Sequence, residues 1–269
     1  MVASKAVRKV LMWRPDHFDV KYYINPWMKP DVPVNRQKAV QQWENLKQKI
    51  EQAGAKVLIG KTGTKEQPDI VFAANAGFIF KDKVYLSKFQ QKERFGERAH
   101  YEQWFRWAGF QVVKDEKYNF EGAGDARFAG PKKLFGGFGL RTDEAVYDEI
   151  AKMGDFEVHR IKLVDPRFYH LDTCFCPLSD KLALLFPKAL SADSLKRMEN
   201  NIEILPVPEK EALCLGCNSV PIGQTVLIPS GCPETVALLK KRGFEPQSVD
   251  VSEFIKGGGA ARCLTLDLE

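Results

Sequence analysis

Residues 35–59 read NRQKAVQQWENLKQKIEQAGAKVLI, and this stretch contains the unit from which the fold is built. Its apolar side chains recur at the spacing of one helix face: Val40, Trp43, Leu46 and Ile50. The spacing predicts an amphipathic helix over 35–52. Gly54 ends that helix, because glycine readily adopts the left-handed conformation common after a last helical turn, and a β-rich run follows at 56–59.

The same order of helix, stop residue and β-rich run occurs five times along the chain. The stop residues, each expected to be left-handed, lie 42 to 55 residues apart: Gly54, Gly109, Gly154, Asn201 and Gly243. More runs typical of strands lie between the units: Ile70–Ala74, Phe78–Phe80, Val84–Leu86, Leu182–Phe186 and Thr225–Ile228. Several strands and one helix per period near 50 predict a repeat architecture, such as a propeller with its helices outside. The alternative is a generic α/β sandwich with coincidental spacing.

Composition and charge narrow the class of protein. The 269 residues are 44% hydrophobic and 28% charged, and no low-complexity linker divides them, so we predict a single domain over 1–269. Lysine and arginine number 40 against 35 acidic residues, and their scatter argues against nucleic-acid binding. The chain shows neither a signal peptide nor an apolar run long enough to span a membrane, so we expect a cytoplasmic protein without a membrane partner.

The six cysteines are expected to be reduced thiols in that compartment. Cys174, Cys176, Cys214 and Cys217 are numerous enough for a zinc site, but bulky apolar neighbours favour buried free thiols. The sequence therefore predicts no metal.

Residues 256–264, KGGGAARCL, place three glycines just before Cys263. Glycines there indicate a backbone with positive φ or a very close approach. A cysteine in this position is either a small core residue or a nucleophile. The choice depends on whether the thiol has chemical partners elsewhere in the chain.

Candidate partners stand in two segments. Glu121 and Asp125 flank a glycine turn in FEGAGD, residues 120–125, and His170 precedes Asp172 by two residues in HLD. On a strand His170 and Asp172 would share one face, which suits an oriented acid/base. Taken singly, these residues are explained by a capped turn and by a structural histidine.

Thiol, histidine and several carboxylates together indicate a substrate class. Carboxylates attract a cation, and a planar guanidinium offers them matching bidentate donors. Its carbon is electrophilic but stabilised by resonance, so its chemistry needs a thiolate nucleophile and a proton donor for the departing amine. We therefore expect a guanidino compound as substrate.

At these residues the sequence resembles the guanidino-group-modifying enzymes of the amidinotransferase superfamily, most closely their arginine dihydrolase-type branch. Related branches are the arginine deiminases, the dimethylarginine dimethylaminohydrolases and the glycine amidinotransferases. The matching strings span almost the whole chain: 15–20, 24–28, 75–77, 93–97, 120–125, 141–143, 170–174 and 257–263. The resemblance implies a five-bladed α/β propeller, the pentein fold, around a central active site, with no metal and no organic cofactor.

The resemblance also implies roles for individual residues. Cys263 matches the nucleophile and His170 the general acid/base. Glu121 matches the acid that holds the histidine and the substrate. Asp125 matches a carboxylate that binds guanidinium, and Asp172 stands where the deiminases also have an acid.

Four further residues match positions that bind the substrate. Arg94 and Arg141 match arginines that hold the α-carboxylate, and Asn25 matches an asparagine near the amino-acid end. Asn75 stands where deiminases and dimethylarginine hydrolases usually have an aspartate, whereas the dihydrolase-type branch has asparagine. This departure argues against a simple deiminase.

The leading hypothesis is a cysteine hydrolase that converts arginine to citrulline, and further to ornithine, CO₂ and ammonia if citrulline is a second substrate. The close alternative is hydrolysis of methylated arginines to citrulline and methylamines. Amidino transfer to an amine, and a non-catalytic guanidino sensor, are more distant alternatives. Residues 14–30 and 60–68 are candidate lids, and the sequence leaves the choice between monomer and homo-oligomer open.

Overall fold

The computed structural model describes residues 7–60 and 64–268, so three residues of the candidate lid 60–68 lie outside the described residues. Its strands are β1 (Lys9–Met12), β2 (Lys56–Ile59), β3 (Gly77–Phe80), β4 (Lys83–Leu86), β5 (Gln111–Val113), β6 (Ala126–Phe128), β7 (Lys133–Phe138), β8 (Glu157–Lys162), β9 (Phe175–Pro177), β10 (Leu182–Leu185), β11 (Glu203–Pro206), β12 (Val220–Ile222), β13 (Thr225–Pro229), β14 (Glu245–Val249) and β15 (Leu266–Asp267).

The α-helices are α1 (Arg36–Gln52), α2 (Glu97–Trp107), α3 (Val146–Ile150), α4 (Leu171–Cys174), α5 (Ala192–Glu199), α6 (Glu209–Ala212), α7 (Pro233–Lys241) and α8 (Ser252–Ile255). Short 3₁₀ helices span Pro68–Val71, Ala73–Ala76, Lys92–Arg94, Gly122–Gly124, Ala151–Met153, Pro166–Phe168 and Pro187–Ala189. Among the helices described, none combines the length and the apolar character needed to cross a membrane.

The strands form five three-stranded sheets of one topology. Their orders are β15-β1-β2, β3-β4-β5, β6-β7-β8, β9-β10-β11 and β12-β13-β14. In each sheet the first strand is antiparallel to the middle strand, and the third is parallel to it. A helix connects each middle strand to its parallel neighbour, because a parallel pair needs a crossover connection. The five repeat units predicted from the stop residues are confirmed.

The first sheet joins the two ends of the described chain. Strand β15 pairs with β1, placing Leu266 opposite Leu11, and β1 pairs with β2 in parallel register. The fifth unit therefore leads back into the first, which makes the arrangement cyclic. The first strands of all five sheets, β3, β6, β9, β12 and β15, line one common central cavity.

The helix ends differ in part from the expectation of a left-handed residue at every stop. Gly54, Gly109 and Gly243 have φ of 97°, 89° and 82°, as expected. Gly154 is extended, and it is glycine because a Cβ would lie 2.1 Å from the ring of Phe80. Asn201 has no positive φ either; its side-chain amide donates to the carbonyl of Arg197 at 2.8 Å and so satisfies the end of α5.

The apolar run Ile70–Ala74 was expected as a strand, and this prediction is wrong. The run is fully buried, but it forms parts of the 3₁₀ helices Pro68–Val71 and Ala73–Ala76. Short buried apolar runs carry no periodicity that separates a strand from helical turns. The tertiary contacts decide instead, and the hydroxyl of Tyr101 donates to the carbonyl of Ile70 at 2.9 Å.

Candidate active site

Five polar side chains, one from each unit, lie in the segments just before the first strands of the five sheets. They are Asn75, Glu121, His170, Asn218 and Cys263. Successive members lie 46, 49, 48 and 45 residues apart, close to the repeat period. A cyclic repeat brings equivalent positions to the same end of its axis, which explains how residues so distant in sequence meet.

Cys263 is buried, with 3% of its surface exposed. Its Sγ lies 3.5 and 3.7 Å from the carboxylate oxygens of Asp172 and 3.1 Å from the amide nitrogen of Asn218. Burial raises the pKa of the thiol well above its ordinary value, and the Asp172 carboxylate raises it further, while the Asn218 hydrogen bond acts in the opposite direction. The thiol is therefore protonated until a cation or a base approaches it.

Asn218 organises the loop 256–263 that carries Cys263, the nucleophile loop, and no sequence motif indicated this residue. Its side-chain oxygen accepts hydrogen bonds from the backbone N–H groups of Ala260, Arg262 and Cys263 at 3.1, 3.0 and 3.1 Å. Its nitrogen donates to the carbonyl of Asp172 at 3.0 Å as well as to the thiol. Its spacing from His170, close to one repeat, was the available signal.

The glycines before Cys263 allow the loop to pass close to its neighbours, where a Cβ would not fit. Gly258 has φ of +89°, and a Cβ there would lie within 2.8 Å of Tyr169 and Asn25. A Cβ on Gly259 would lie 2.5 Å from the ring of Phe72 and 2.9 Å from the Cβ of Cys263. The loop therefore needs both properties that the sequence indicated, a positive φ and a close approach.

His170 and Asp172 do not lie on a strand, so that prediction is wrong. His170 is the extended residue before α4, a helix of four residues too short to produce a periodic sequence signal. As a result the two side chains face different partners. His170 Nε2 lies 2.7 Å from Glu121 Oε2, whereas Asp172 faces Cys263.

Glu121 is fully buried between two cationic or ionisable partners. Arg141 Nη1 lies 3.1 Å from Glu121 Oε2, the oxygen that also contacts His170. Burial acts to raise the pKa of the carboxyl, but Arg141 and His170 overcome it and lower the pKa to about 2. Glu121 is therefore a carboxylate throughout the physiological range and holds the imidazole in place.

Asp125 lies behind this pair and is absent from the residues that line the pocket. Its carboxylate accepts hydrogen bonds from the hydroxyl of Thr142 at 2.7 Å and the backbone N–H of Leu171 at 2.9 Å. Burial raises its pKa to about 6. Asp125 thus holds the start of α4 in place, and its role as a carboxylate that binds guanidinium stays a prediction.

Asn75 and Arg94 form a second buried cluster. The side-chain oxygen of Asn75 accepts from Arg94 Nη1 at 2.9 Å, and its nitrogen donates to the carbonyl of Glu121 at 2.9 Å. Arg94 also forms a two-pronged ion pair with Glu97, at 2.9 and 2.7 Å. Both arginines implied for carboxylate binding are thus already paired with acids, Arg94 with Glu97 and Arg141 with Glu121.

One small pocket connects these groups. Its volume is about 10 Å³, and twelve residues line it: Ile24, Asn25, Asp69, Phe72, Asn75, Arg94, Arg141, Tyr169, His170, Gly257, Gly259 and Cys263. This is room for roughly one water molecule, so an amino acid enters only if the wall moves. Asp69, which our sequence analysis did not single out, has a buried Oδ1 without a hydrogen-bond partner among the described residues, and burial raises its pKa to about 7.

The segment 14–30, a candidate lid, supplies part of that wall. The carbonyl of Ile24 accepts from Arg141 Nη2 at 2.6 Å, and the hydroxyl of Tyr22 donates to Asp69 Oδ2 at 2.9 Å. Asn25 donates through its side-chain nitrogen to the carbonyl of Gly257 at 3.1 Å. These bonds hold the segment closed over the pocket.

The other cysteines are unpaired. Cys174 and Cys176 donate weakly to the carbonyls of Leu171 and Ser219, at 3.5 and 3.4 Å. Within 7–60 and 64–268, no three histidine, cysteine or acidic side chains are grouped in a way that would hold a metal ion.

Comparison with known proteins identifies the family. The family model described as "N,N dimethylarginine dimethylhydrolase, eukaryotic" matches residues 14–269, nearly the whole chain. The chain belongs to this family.

Several relatives of this dimethylarginine dimethylhydrolase family member are similar over almost its full length. An uncharacterised protein of Caenorhabditis elegans is 42% identical over 99% of this chain and 95% of its own length. The dimethylarginine dimethylaminohydrolase of Mycobacterium tuberculosis is 37% identical over 97% of this chain and 86% of its own. The bifunctional arginine dihydrolase/ornithine cyclodeaminase ArgZ of Synechocystis is 40% identical over 96% of this chain, which spans only 37% of ArgZ.

Solved structures agree with the family assignment. The N-terminal domain of ArgZ, described as an arginine dihydrolase bound to product, matches with a TM-score of 0.94 at 39% identity, covering 98% of both chains. A dimethylarginine dimethylaminohydrolase from Pseudomonas aeruginosa, in complex with citrulline, matches with a TM-score of 0.81 at 18% identity, over 97% of this chain and 99% of its own, which shows the fold alone. The amidinotransferase-superfamily resemblance and the five-unit α/β propeller are confirmed.

Proposed function

We propose that this hydrolase-family member cleaves the guanidino group of L-arginine through a covalent adduct on Cys263. The observation that carries the proposal is the convergence in one buried pocket of a thiol, a histidine paired with a carboxylate, and two arginines near Asp69, whose Oδ1 has no hydrogen-bond partner among the described residues. Relatives named as arginine dihydrolases support the choice of substrate.

The first step is attack of the Cys263 sulfur on the guanidino carbon. Because burial keeps the thiol protonated at rest, the approach of the cationic guanidinium is what favours the thiolate. The carboxylate of Asp172, 3.5 Å from Sγ, is placed to accept the thiol proton or to hold a guanidinium N–H. A sulfur–carbon bond forms, and the adduct is tetrahedral.

His170 carries the protons of the next steps. It donates a proton to the departing amine, the carbon–nitrogen bond breaks, and ammonia leaves a thiouronium adduct on Cys263. A water molecule then attacks the adduct carbon while His170 takes a proton from it. The sulfur–carbon bond breaks, and citrulline is released. Glu121, 2.7 Å from Nε2, orients the ring.

The opposite side of the pocket suits an α-amino acid. Arg94 and Arg141 are buried guanidinium groups paired with Glu97 and Glu121 in the closed pocket. An α-carboxylate is held by the N–H donors that movement of the wall frees, among them Arg141 Nη2, which donates to the carbonyl of Ile24 while the segment is closed. The free oxygen of Asp69 and the carbonyl of Ile24 are acceptors for an α-ammonium group. Asn25 ties this wall of the pocket to Gly257 in the nucleophile loop.

Asn75 is the residue that distinguishes one round of hydrolysis from two. A neutral amide both donates and accepts, so it suits the cationic guanidinium and the neutral ureido group of citrulline. Two rounds would convert arginine and two waters to ornithine, CO₂ and two ammonia molecules. An aspartate would pair with guanidinium and bind the neutral ureido group less well.

The experiment compares products of the wild type, Asn75→Asp and the matched surface control Asn200→Asp. We expect the wild type to release ornithine from arginine, Asn75→Asp to accumulate citrulline, and Asn200→Asp to match the wild type. An unchanged ratio of citrulline to ornithine in Asn75→Asp would remove the specificity role and leave Asn75 a structural residue of a buried turn.

Hydrolysis of methylated arginine is the second candidate, and the family-model match favours it. The chemistry at Cys263 and His170 would be the same, with methylamine or dimethylamine as the leaving group. Incubation with arginine and with dimethylarginine, followed by mass spectrometry, separates the two. Release of dimethylamine with arginine left untouched would replace our proposal by this candidate.

A further inference from the structure

A second and larger cavity lies on the axis of the five units. Its volume is about 340 Å³, within the range of small-molecule sites, and first strands of all five sheets contribute to its wall. It shares no lining residue with the active-site pocket. The cavity is therefore separate from the site described above.

Three arginines and one acid give this cavity its charge. Arg8, Arg127, Arg262 and Asp267 are the charged residues in its wall. Arg8 Nε and Arg262 Nη1 each donate to Asp267, at 2.8 and 2.9 Å. One carboxylate thus serves two guanidinium groups, and the cluster carries a formal charge of +2.

Arg127 forms no ion pair with any residue that the structure describes. Its side chain is 7% exposed and makes no ion pair or hydrogen bond with any residue in 7–60 or 64–268. Arg262 Nε is also buried without a partner in that range. Burial, together with repulsion from Arg262, lowers the pKa of Arg127 to about 10. A buried guanidinium left without an acceptor is costly to keep, which makes this arrangement unusual for a purely structural role.

We propose that the axial cavity binds a small dianion, with phosphate or carboxylate oxygens held by Arg127 and Arg262. Charge favours this ligand, because two negative charges balance the excess of the cluster. Geometry favours it too, since guanidinium groups offer paired N–H donors that match carboxylate and phosphate oxygens. Arg8, less buried than the other two arginines, stands at the same wall.

The test is a titration of the intact protein with sodium phosphate and, separately, with sodium succinate, by calorimetry and by thermal unfolding. Sodium chloride keeps the ionic strength constant, because non-specific surface binding is screened by salt. We expect saturable binding of at least one probe, accompanied by a rise in the unfolding temperature. The two probes separate phosphate compounds from dicarboxylates.

Variants assign the binding to the cavity. Arg127→Met should weaken it by about tenfold or more, the loss expected for one charge-assisted contact, and should unfold at an equal or higher temperature without anion. The exposed control Arg106→Met should bind as the wild type does. If Arg127→Met does not fold, Arg8→Met replaces it and should likewise weaken anion binding.

Three results would overturn the proposal. The first is the absence of saturable binding of both probes to the wild type. The second is unchanged affinity in Arg127→Met. The third is affinity lost in Arg141→Met but retained in Arg127→Met, which would place the anion in the active site. None of these outcomes depends on which guanidino substrate the enzyme hydrolyses.

Discussion

Asn218→Asp tests whether the amide beside Cys263 stabilises the thiolate. The substitution keeps the oxygen that accepts from the N–H groups of residues 260, 262 and 263, so the nucleophile loop retains its anchor. It replaces the nitrogen that donates to the thiol at 3.1 Å and to the carbonyl of Asp172 at 3.0 Å. The variant therefore removes two donor contacts while the size of the side chain is unchanged.

The magnitude follows from the kind of bond that is lost. A hydrogen bond to a charged group contributes about 1.5–3 kcal/mol, so losing the donor to the thiolate should lower kcat roughly 10- to 150-fold. The oxygen that replaces the nitrogen faces the carbonyl of Asp172 in a fully buried site, acceptor against acceptor, so folding stability should fall by more than one hydrogen bond, on the order of 3 kcal/mol. The new carboxylate also disfavours the thiolate, so the limb of the pH–rate profile that reports the thiol should move to higher pH.

The assay measures kcat and KM for arginine across pH, with urea unfolding of the same samples. Asn200→Asp, an exposed position after α5, is the matched control and should leave kcat, KM and the pH profile unchanged, with a stability loss of at most about 1 kcal/mol from the new charge at the helix end. A near-normal kcat with an unshifted pH profile in Asn218→Asp would refute the reasoning. So would a loss of activity that follows only the fraction of unfolded protein.

Three shorter predictions concern the nucleophile, the amino-acid end of the pocket and Asp69. Cys263→Ser should lose nearly all turnover yet still bind arginine in calorimetry, and mass spectrometry of quenched wild type should show an adduct that the variant lacks. Agmatine, which has no α-carboxylate, should have a far lower kcat/KM than arginine, and equal values would remove Arg94 and Arg141 from substrate binding. Burial raises the pKa of Asp69 from 3.8 to about 7, so the folded state binds its proton more tightly and stability should fall as pH rises from about 4 to 7. Asp69→Asn should flatten that slope, with a gain on the order of 4 kcal/mol at pH 8 in urea unfolding, and a slope equal to that of the wild type would contradict the assignment.

The repeat units could be predicted from the sequence because their signals are local. The face of α1 and the left-handed Gly54, Gly109 and Gly243 depend only on residues within a few turns of one another. The segment Ile70–Ala74 shows the limit of such signals. Its apolar run correctly indicated burial, whereas its 3₁₀ turns depend on contacts with distant elements.

The same distinction between local and long-range signals applies to the residues of the active site. Residue chemistry, together with the family motifs, indicated the thiol, His170 and Glu121 as groups that act together. His170 and Asp172 have different partners because the short helix α4 directs one side chain to Glu121 and the other to Cys263. Four residues cannot show a helical period, so this helix is evident only in the folded chain.

By itself, then, the sequence determined the number of units, their helix–strand order and the guanidino chemistry, since periodicity, turn residues and reactive side chains are properties of short segments. The tertiary structure alone decided which polar groups share a space. It turned Asp125 toward Leu171, placed the amide of Asn218 on the thiol, and left Arg127 on the axis without an acceptor among the residues described. These relations join residues that are about one repeat or more apart, and whether such groups pair depends on distances and burial that exist only once the circle of units has closed.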